Sequence, residues 1–158
     1  MKAQTVGQFW LSFLEANPNV SPSTLYQVWY FGNSSAMAKE LADLVLSGKK
    51  TATASLKTVN DLEPEKAPID NGYSVVTSYQ GDPLCVVRTT EIRHVPFNEV
   101  DAKFAYDEGE GDQTLDHWRE GHWAYFSNEA PQYRLEFDET SLICCERFEV
   151  VYPTAVSV

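Results

Sequence analysis

The stretch that most constrains this chain is Phe31–Ser55, FGNSSAMAKELADLVLSGKKTATAS. Ser34 or Ser35 can cap a helix start, because a short hydroxyl side chain accepts a bond from a free backbone N–H. Met37, Leu41, Leu44 and Val45 recur at steps of three and four and so share one helical face. Lys39, Glu40 and Asp43 fall largely on the other. Gly48 follows the last apolar position and suits a left-handed C-cap. Lys49 and Lys50 sit where cations favour the negative end of the helix dipole. Thr51–Leu56 alternates hydroxyl and small or apolar residues, as a strand with two distinct faces does. A helix, a tight stop and a strand thus bring a lysine ammonium and several hydroxyls to one junction.

The remaining elements are read in chain order. Val6, Phe9, Trp10, Phe13 and Leu14 fit a short amphipathic helix ending near Asn17-Pro18. Residues 1–27 are then a helical N-terminal extension, packed on the body as a lid or brace. Ser21-Pro22-Ser23 starts a second short turn or helix toward Tyr26. Val28–Phe31 is an aromatic patch in which Trp29 and Phe31 read as core and Tyr30 as a pocket wall. Thr58–Pro68 is acidic and proline-bearing, a loop with one helical turn. Val75–Tyr79 and Leu84–Ile92 read as a hairpin about the turn Gln80-Gly81-Asp82-Pro83. Pro96 ends the second strand, and Phe97–Phe104 reads as helical. Asp107–Asp112 is a glycine-rich acidic connector, with Asp112 as N-cap of a helix that places Leu115, Trp118, His122 and Tyr125 or Phe126 on one face. Leu142–Val151 closes the chain as a strand. Strands and helices interleave without a repeating βαβ pattern, which predicts an α+β fold: a small, mostly antiparallel β-barrel with flanking helices, as a single domain over residues 1–158.

A formal net charge of −11 disfavours a long track along a phosphate backbone, but it leaves room for one basic pocket or a small neutral ligand. Cys85, Cys144 and Cys145 form no C-x-x-C pair and no even framework, so they read as buried small hydrophobes of a reducing, cytoplasmic compartment. No window reaches the roughly 18 apolar residues of a membrane span. A homodimer is left open.

The residues that could carry chemistry cluster in two segments. Lys50, if partly buried, has its pKa lowered by desolvation and becomes a usable base; the alternative is a helix-dipole partner. Thr53 lies across the helix-to-strand change, and an adjacent base would make its hydroxyl a nucleophile. Thr51 and Ser55 compete with it for that role, and all three also read as ordinary strand residues. Glu108 and Glu110 can reach inward from the connector to orient the lysine or shuttle a proton, or can stay solvated. His117 and His122 are five apart, poor spacing for two metal ligands on one helical face, and no carboxylate is seen to complete a set; no metal and no cofactor is expected. His122 is a structural histidine or an acid–base group. Arg119 is expected to pair with a connector carboxylate or to hold a phosphate. Tyr125 and Ser127 are weaker pocket candidates. Phosphate-binding loops, dinucleotide fingerprints and the serine elbow are all absent from the sequence.

The segments Phe31–Ser55, PFNEVDAKFAYDEGEGDQTLDHWREGHWAYF (Pro96–Phe126) and the closing strand Cys144–Val151 together resemble the ASCH-domain family, whose fold is similar to that of the PUA RNA-binding domains. The resemblance implies a PUA-like barrel and a partner that is a nucleoside or single-stranded RNA. Some members hydrolyse N4-acylated cytidine with a Lys–Thr–Glu set. Carried over by position, that set is Lys50, Thr53 and Glu108 or Glu110, with Thr53 attacking the amide carbonyl and Lys50 taking its proton. The better-known short amidohydrolases follow the lysine-threonine with isoleucine-threonine-arginine. Here the run is Ala52-Thr53-Ala54, and no arginine stands at position 55 or 56. Longer members are associated with metal-independent ribonuclease activity, in which Lys50 would meet the scissile phosphate. A non-catalytic RNA-binding module is the third implied function.

Overall fold

The computed structural model describes residues 4–153. Five strands form one sheet in the order β1-β3-β4-β5-β2: β1 Tyr26–Trp29, β2 Ala52–Leu56, β3 Tyr73–Thr77, β4 Pro83–Pro96 and β5 Leu142–Tyr152. Strand β1 runs parallel to β3, and the other pairings are antiparallel. The ladder does not close between β1 and β2, so the barrel-like sheet keeps two edges. The class is α+β, as expected.

Among the described residues, five α-helices flank the sheet: α1 Val6–Ala16, α2 Ser35–Leu46, α3 Lys57–Leu62, α4 Ala102–Glu108 and α5 Leu115–Glu129. Helix α2 starts on the hydroxyl of Ser34, which accepts from Met37 N. It stops at Gly48, whose φ of 82° is open to glycine at no steric cost. Its inward Val45 joins Phe31, Val76, Cys85, Val87 and Phe148 on one face of the sheet. Helices α4 and α5 cover the opposite face through Phe104, Ala105, Trp118 and Phe126, which pack on Ala52, Leu56, Ile143 and Cys145. Burying the larger of these side chains, Leu56, Ile143, Phe104 and Phe126, stabilises by about 1.5–3 kcal/mol each. Helix α1 packs Trp10 and Phe13 on Val75 and Val86. None of its residues lines the cavity described below, so it braces the sheet and forms no lid. All three cysteines are free and buried.

Four local expectations are corrected. Val28–Phe31, expected as an aromatic patch after a turn or helix toward Tyr26, instead contributes Val28 and Trp29 to an edge strand, Tyr26–Trp29, held in parallel register by β3. Thr58–Pro68 holds helix α3 and a 3-10 turn at Pro64–Lys66 rather than a loop with one turn. Phe97–Phe104 splits into a 3-10 turn, Phe97–Glu99, and the start of α4, which Asp101 caps. The N-cap of α5 is Thr114, not Asp112; Asp112 instead accepts from the Thr114 N–H and hydroxyl and so holds the cap in place.

Candidate active site

A cavity of about 430 Å³ opens beside the β2 edge, between α2 with its leading loop and the α4–α5 pair. Lys50, Thr53, Glu108, Glu110, His122 and Tyr125 all line it. The structure therefore brings together the lysine, the threonine and both connector glutamates. It does not bring in Thr51, Ser55, Tyr30, Arg119 or Ser127, none of which lines the cavity. Thr51 is exposed and its hydroxyl donates to Asp107 O. Ser55 accepts from the Asn60 amide. Tyr30 packs edge-on against Tyr79. Arg119 and Ser127 are exposed, and the pairing expected of Arg119 is not formed among the described residues. The helical period explains this: with Trp118 and His122 inward, position 119 is rotated about 100° away.

Lys50 lies two residues before β2 and points inward at 1% side-chain exposure. Its ammonium donates to Glu108 Oε1 at 3.0 Å, to Glu110 Oε2 at 2.8 Å and to the Glu108 carbonyl at 3.4 Å. All three of its donors are thus satisfied, and the Phe31 ring lies 5.6 Å from the nitrogen. Burial pulls the lysine pKa down, but the two carboxylates outweigh it, and the net direction is upward. This corrects the expectation of a desolvated, neutral lysine base. The resting group is an ammonium.

Glu108 ends α4, fully enclosed, and both its oxygens are engaged. Oε1 faces Lys50, while Oε2 accepts from Trp118 Nε1 and lies 3.0 Å from His122 Nε2. Burial opposes its charge, yet Lys50 and His122 together hold its carboxyl well below the usual carboxylate range. His122 Nδ1 lies 2.9 Å from the Trp118 carbonyl, which can only accept. Nδ1 therefore carries a proton, and Nε2 faces an ionised carboxylate. Both contacts are met at once only by the imidazolium. The direction of its pKa agrees: burial lowers it, and Glu108 more than reverses this, so the net shift is upward. The ring stacks on Trp118 with centroids 4.2 Å apart.

Glu110 is set between two glycines of positive φ, Gly109 at 71° and Gly111 at 57°. Burial and the neighbouring Glu108 charge push its pKa up against the pull of Lys50. Only its Oε2 is bonded among the described residues; the other oxygen has no partner and is not buried, so it is open to the cavity or to solvent. Tyr125 is pushed up to about 12 by burial and by the nearby Glu129. Thr53 makes no side-chain hydrogen bond to Lys50 among the described residues. Its cross-strand partner Glu146 is buried and accepts from Thr89 at 2.7 Å.

Sequence reasoning missed several cavity residues. Asn33 and Asn128 stand in the wall, Met37 and Leu41 give apolar lining from α2, and His117, weighed in the sequence only as a metal ligand, lines it while packed on Gly111. Met37 and Leu41 carried a signal, the helical stripe, which says inward but not toward a cavity. The asparagines carried none. Donor atoms of Glu108, Glu110 and His122 also lie within 4.8 Å of one another. Two carboxylates thus do complete a potential metal set with His122, contrary to expectation, although the Lys50 ammonium already bonds both of them.

The profile of the ASCH domain family matches residues 27–152. The chain is similar to the ASCH domain of Lactobacillus crispatus JV V101, at 34% identity and a TM-score of 0.82 over 91% of this chain and 92% of that one. It is also similar to a protein of Enterococcus faecalis V583, at 38% identity and a TM-score of 0.81 over 92% of this chain and 86% of that one. No curated protein matches. No helix among the described residues is long and apolar enough to cross a membrane. With its profile matched over most of its length and its fold shared at more than 30% identity, the chain belongs to the ASCH domain family.

Proposed function

We propose that this ASCH domain is an amidohydrolase acting on N4-acylated cytidine-type nucleosides. The observation that carries the reading is the Lys50 ammonium, held between Glu108 and Glu110 in the cavity that Thr53 also lines. Family membership points toward RNA-related chemistry, and the cavity favours a neutral ligand. With Lys50 and His122 cationic and Glu108 and Glu110 anionic, the formal charges cancel, leaving no free cation among these groups for a phosphodiester.

The chemistry follows the protonation states. An ammonium cannot accept a proton, so Lys50 is not the base. Once Glu110 takes up the nucleophile's proton, one of the two charges that neutralise Lys50 is gone, and the ammonium becomes the electrostatic partner of the oxyanion that forms when the acyl carbon is attacked. The Thr53 hydroxyl is the nucleophile. Its proton passes to Glu110, whose raised pKa and open oxygen suit a group that takes a proton and returns it. The protonated Glu110 then delivers that proton to the departing N4 amine, and the C–N bond breaks. Water attacks the Thr53 ester, again with Glu110 as base, and releases the acid and free threonine. Glu108, Trp118 and His122 position Lys50 throughout.

Ultraviolet-monitored deacylation of N4-acetylcytidine tests the reading, with Lys50→Ala beside the wild type. Turnover that the variant loses is the expected result. No turnover by the folded wild type overturns it and leaves single-stranded RNA, as substrate or as ligand.

A further inference from the structure

The free edge of β2 forms part of the cavity wall, and its backbone polarity follows from the ladder. Phe148 N donates to Thr51 O. The peptide is trans, so the Ala52 N–H, on the same peptide as that carbonyl, points away from β5. Along an antiparallel strand the direction alternates, and Thr53 faces Glu146 while Ala54 faces Cys145. The backbone groups of Thr53 and Ser55 therefore serve β5, whereas the N–H and C=O of Ala54 project from the free edge. Ala54 lines the cavity. No hydrogen bond reaches its N–H or its carbonyl from outside the sheet among the described residues.

We infer that the Ala54 backbone reads the hydrogen-bonding edge of a cytosine-type base, its N–H meeting the ring nitrogen and its carbonyl accepting from the adjacent exocyclic N–H. The inference rests on the reading of this cavity as a nucleoside site. An outward-facing strand residue offers one donor and one acceptor side by side and nearly parallel. A planar ligand satisfies both only if it presents an acceptor beside a donor, as a cytosine ring nitrogen and its amino N–H do. The same contact places the exocyclic nitrogen of an N4-acylated base at Ala54, next to the threonine proposed to attack its acyl group. Recognition through backbone costs no side-chain ordering, and it rejects a ligand that leaves buried polar groups unpaired.

The test is equilibrium binding of cytidine and of N4,N4-dimethylcytidine, which is neutral but lacks the exocyclic donor. The wild type is expected to bind cytidine at least tenfold more tightly. Ala54→Pro deletes the outward N–H at a position where an edge strand tolerates proline; it is expected to weaken cytidine about tenfold and to narrow the gap between the two ligands. Equal binding of both nucleosides by the wild type overturns the inference without any variant, as does an unchanged cytidine affinity in a folded Ala54→Pro protein, or no cytidine binding at all. The outcomes separate from those of the deacylation assay. Turnover of N4-acetylcytidine that Ala54→Pro leaves intact removes this inference alone. Ala54-dependent cytidine binding without turnover removes the hydrolase reading alone.

Discussion

Lys50 Nζ and Glu108 Oε1 lie 3.0 Å apart with both side chains 1% exposed. A buried pair of this kind is costly to break, because the surviving charge stays in a low-dielectric site without its partner. Glu108→Gln removes the charge and keeps the shape. It is expected to destabilise by about 3 kcal/mol, since Glu110 still compensates the lysine. For a chain of this size that corresponds to a melting temperature lower by about 6–12 °C. A thermal melt at neutral pH checks it, and a change under about 2 °C would mean the pair contributes nothing.

The His122–Glu108 contact predicts a pH dependence. The folded pKa of His122 is raised above 6.5, so its contribution to stability is fully present below 6.5 and is lost as pH rises through the folded value. Glu108 has the opposite sign: its lowered pKa gives a contribution present above 4.5 and lost as pH falls through the folded value. Glu110, raised above 4.5, follows His122 in sign. Denaturant unfolding across pH should show a decline on the alkaline side of 6.5. His122→Gln should flatten that decline, and in NMR titration Glu108→Gln should bring the His122 midpoint down.

Glycines at the site make a matched pair of predictions. A Cβ on Gly109 would stand 2.4 Å from the Lys49 carbonyl oxygen, and its φ is positive. Gly109→Ala must move the loop that carries Glu108 and Glu110 off Lys50, and a loss of at least about 2 kcal/mol is expected. Gly121 lies within α5, and a Cβ there meets nothing within 4 Å. Gly121→Ala should therefore stabilise by about 0.5–1 kcal/mol through helix propensity alone. Chemical denaturation of the two variants decides both, and equal effects would contradict the loop packing.

How much of this was legible in the sequence depends on how far apart the interacting residues lie. Helix α2 was readable because Ser34, the apolar stripe and Gly48 are local signals that agree with the packing. That Lys50 turns toward the same cavity as Thr53 was readable, but its protonation was not. Burial alone predicts a lowered pKa, and the two carboxylates that reverse it lie 58 and 60 residues away. Strand β1 was missed because its parallel pairing with β3 is a tertiary fact, and four residues are too few for a clear period. Thr114 and Asp112 are both good caps, and which one caps depended on a left-handed Gln113 between them.

The hydroxyls around Lys50 give the sharpest test of the proposed chemistry. Thr51, Thr53 and Ser55 lie within five residues and were hard to separate by sequence, yet only Thr53 lines the cavity. Thr51 is spent on Asp107 O and Ser55 on Asn60. If Thr53 attacks the acyl carbon, Thr53→Ala should lower kcat for N4-acetylcytidine by at least about a thousandfold, as loss of a nucleophile does. Thr51→Ala and Ser55→Ala should keep kcat within about threefold. Thr53→Ser keeps the hydroxyl and should retain measurable turnover with a burst of ester formation. Steady-state kinetics on the four variants, each with a melting curve to show that it folds, separates the roles. A Thr53→Ala enzyme of near wild-type kcat would remove the covalent route and make water, activated at Glu110, the attacking group.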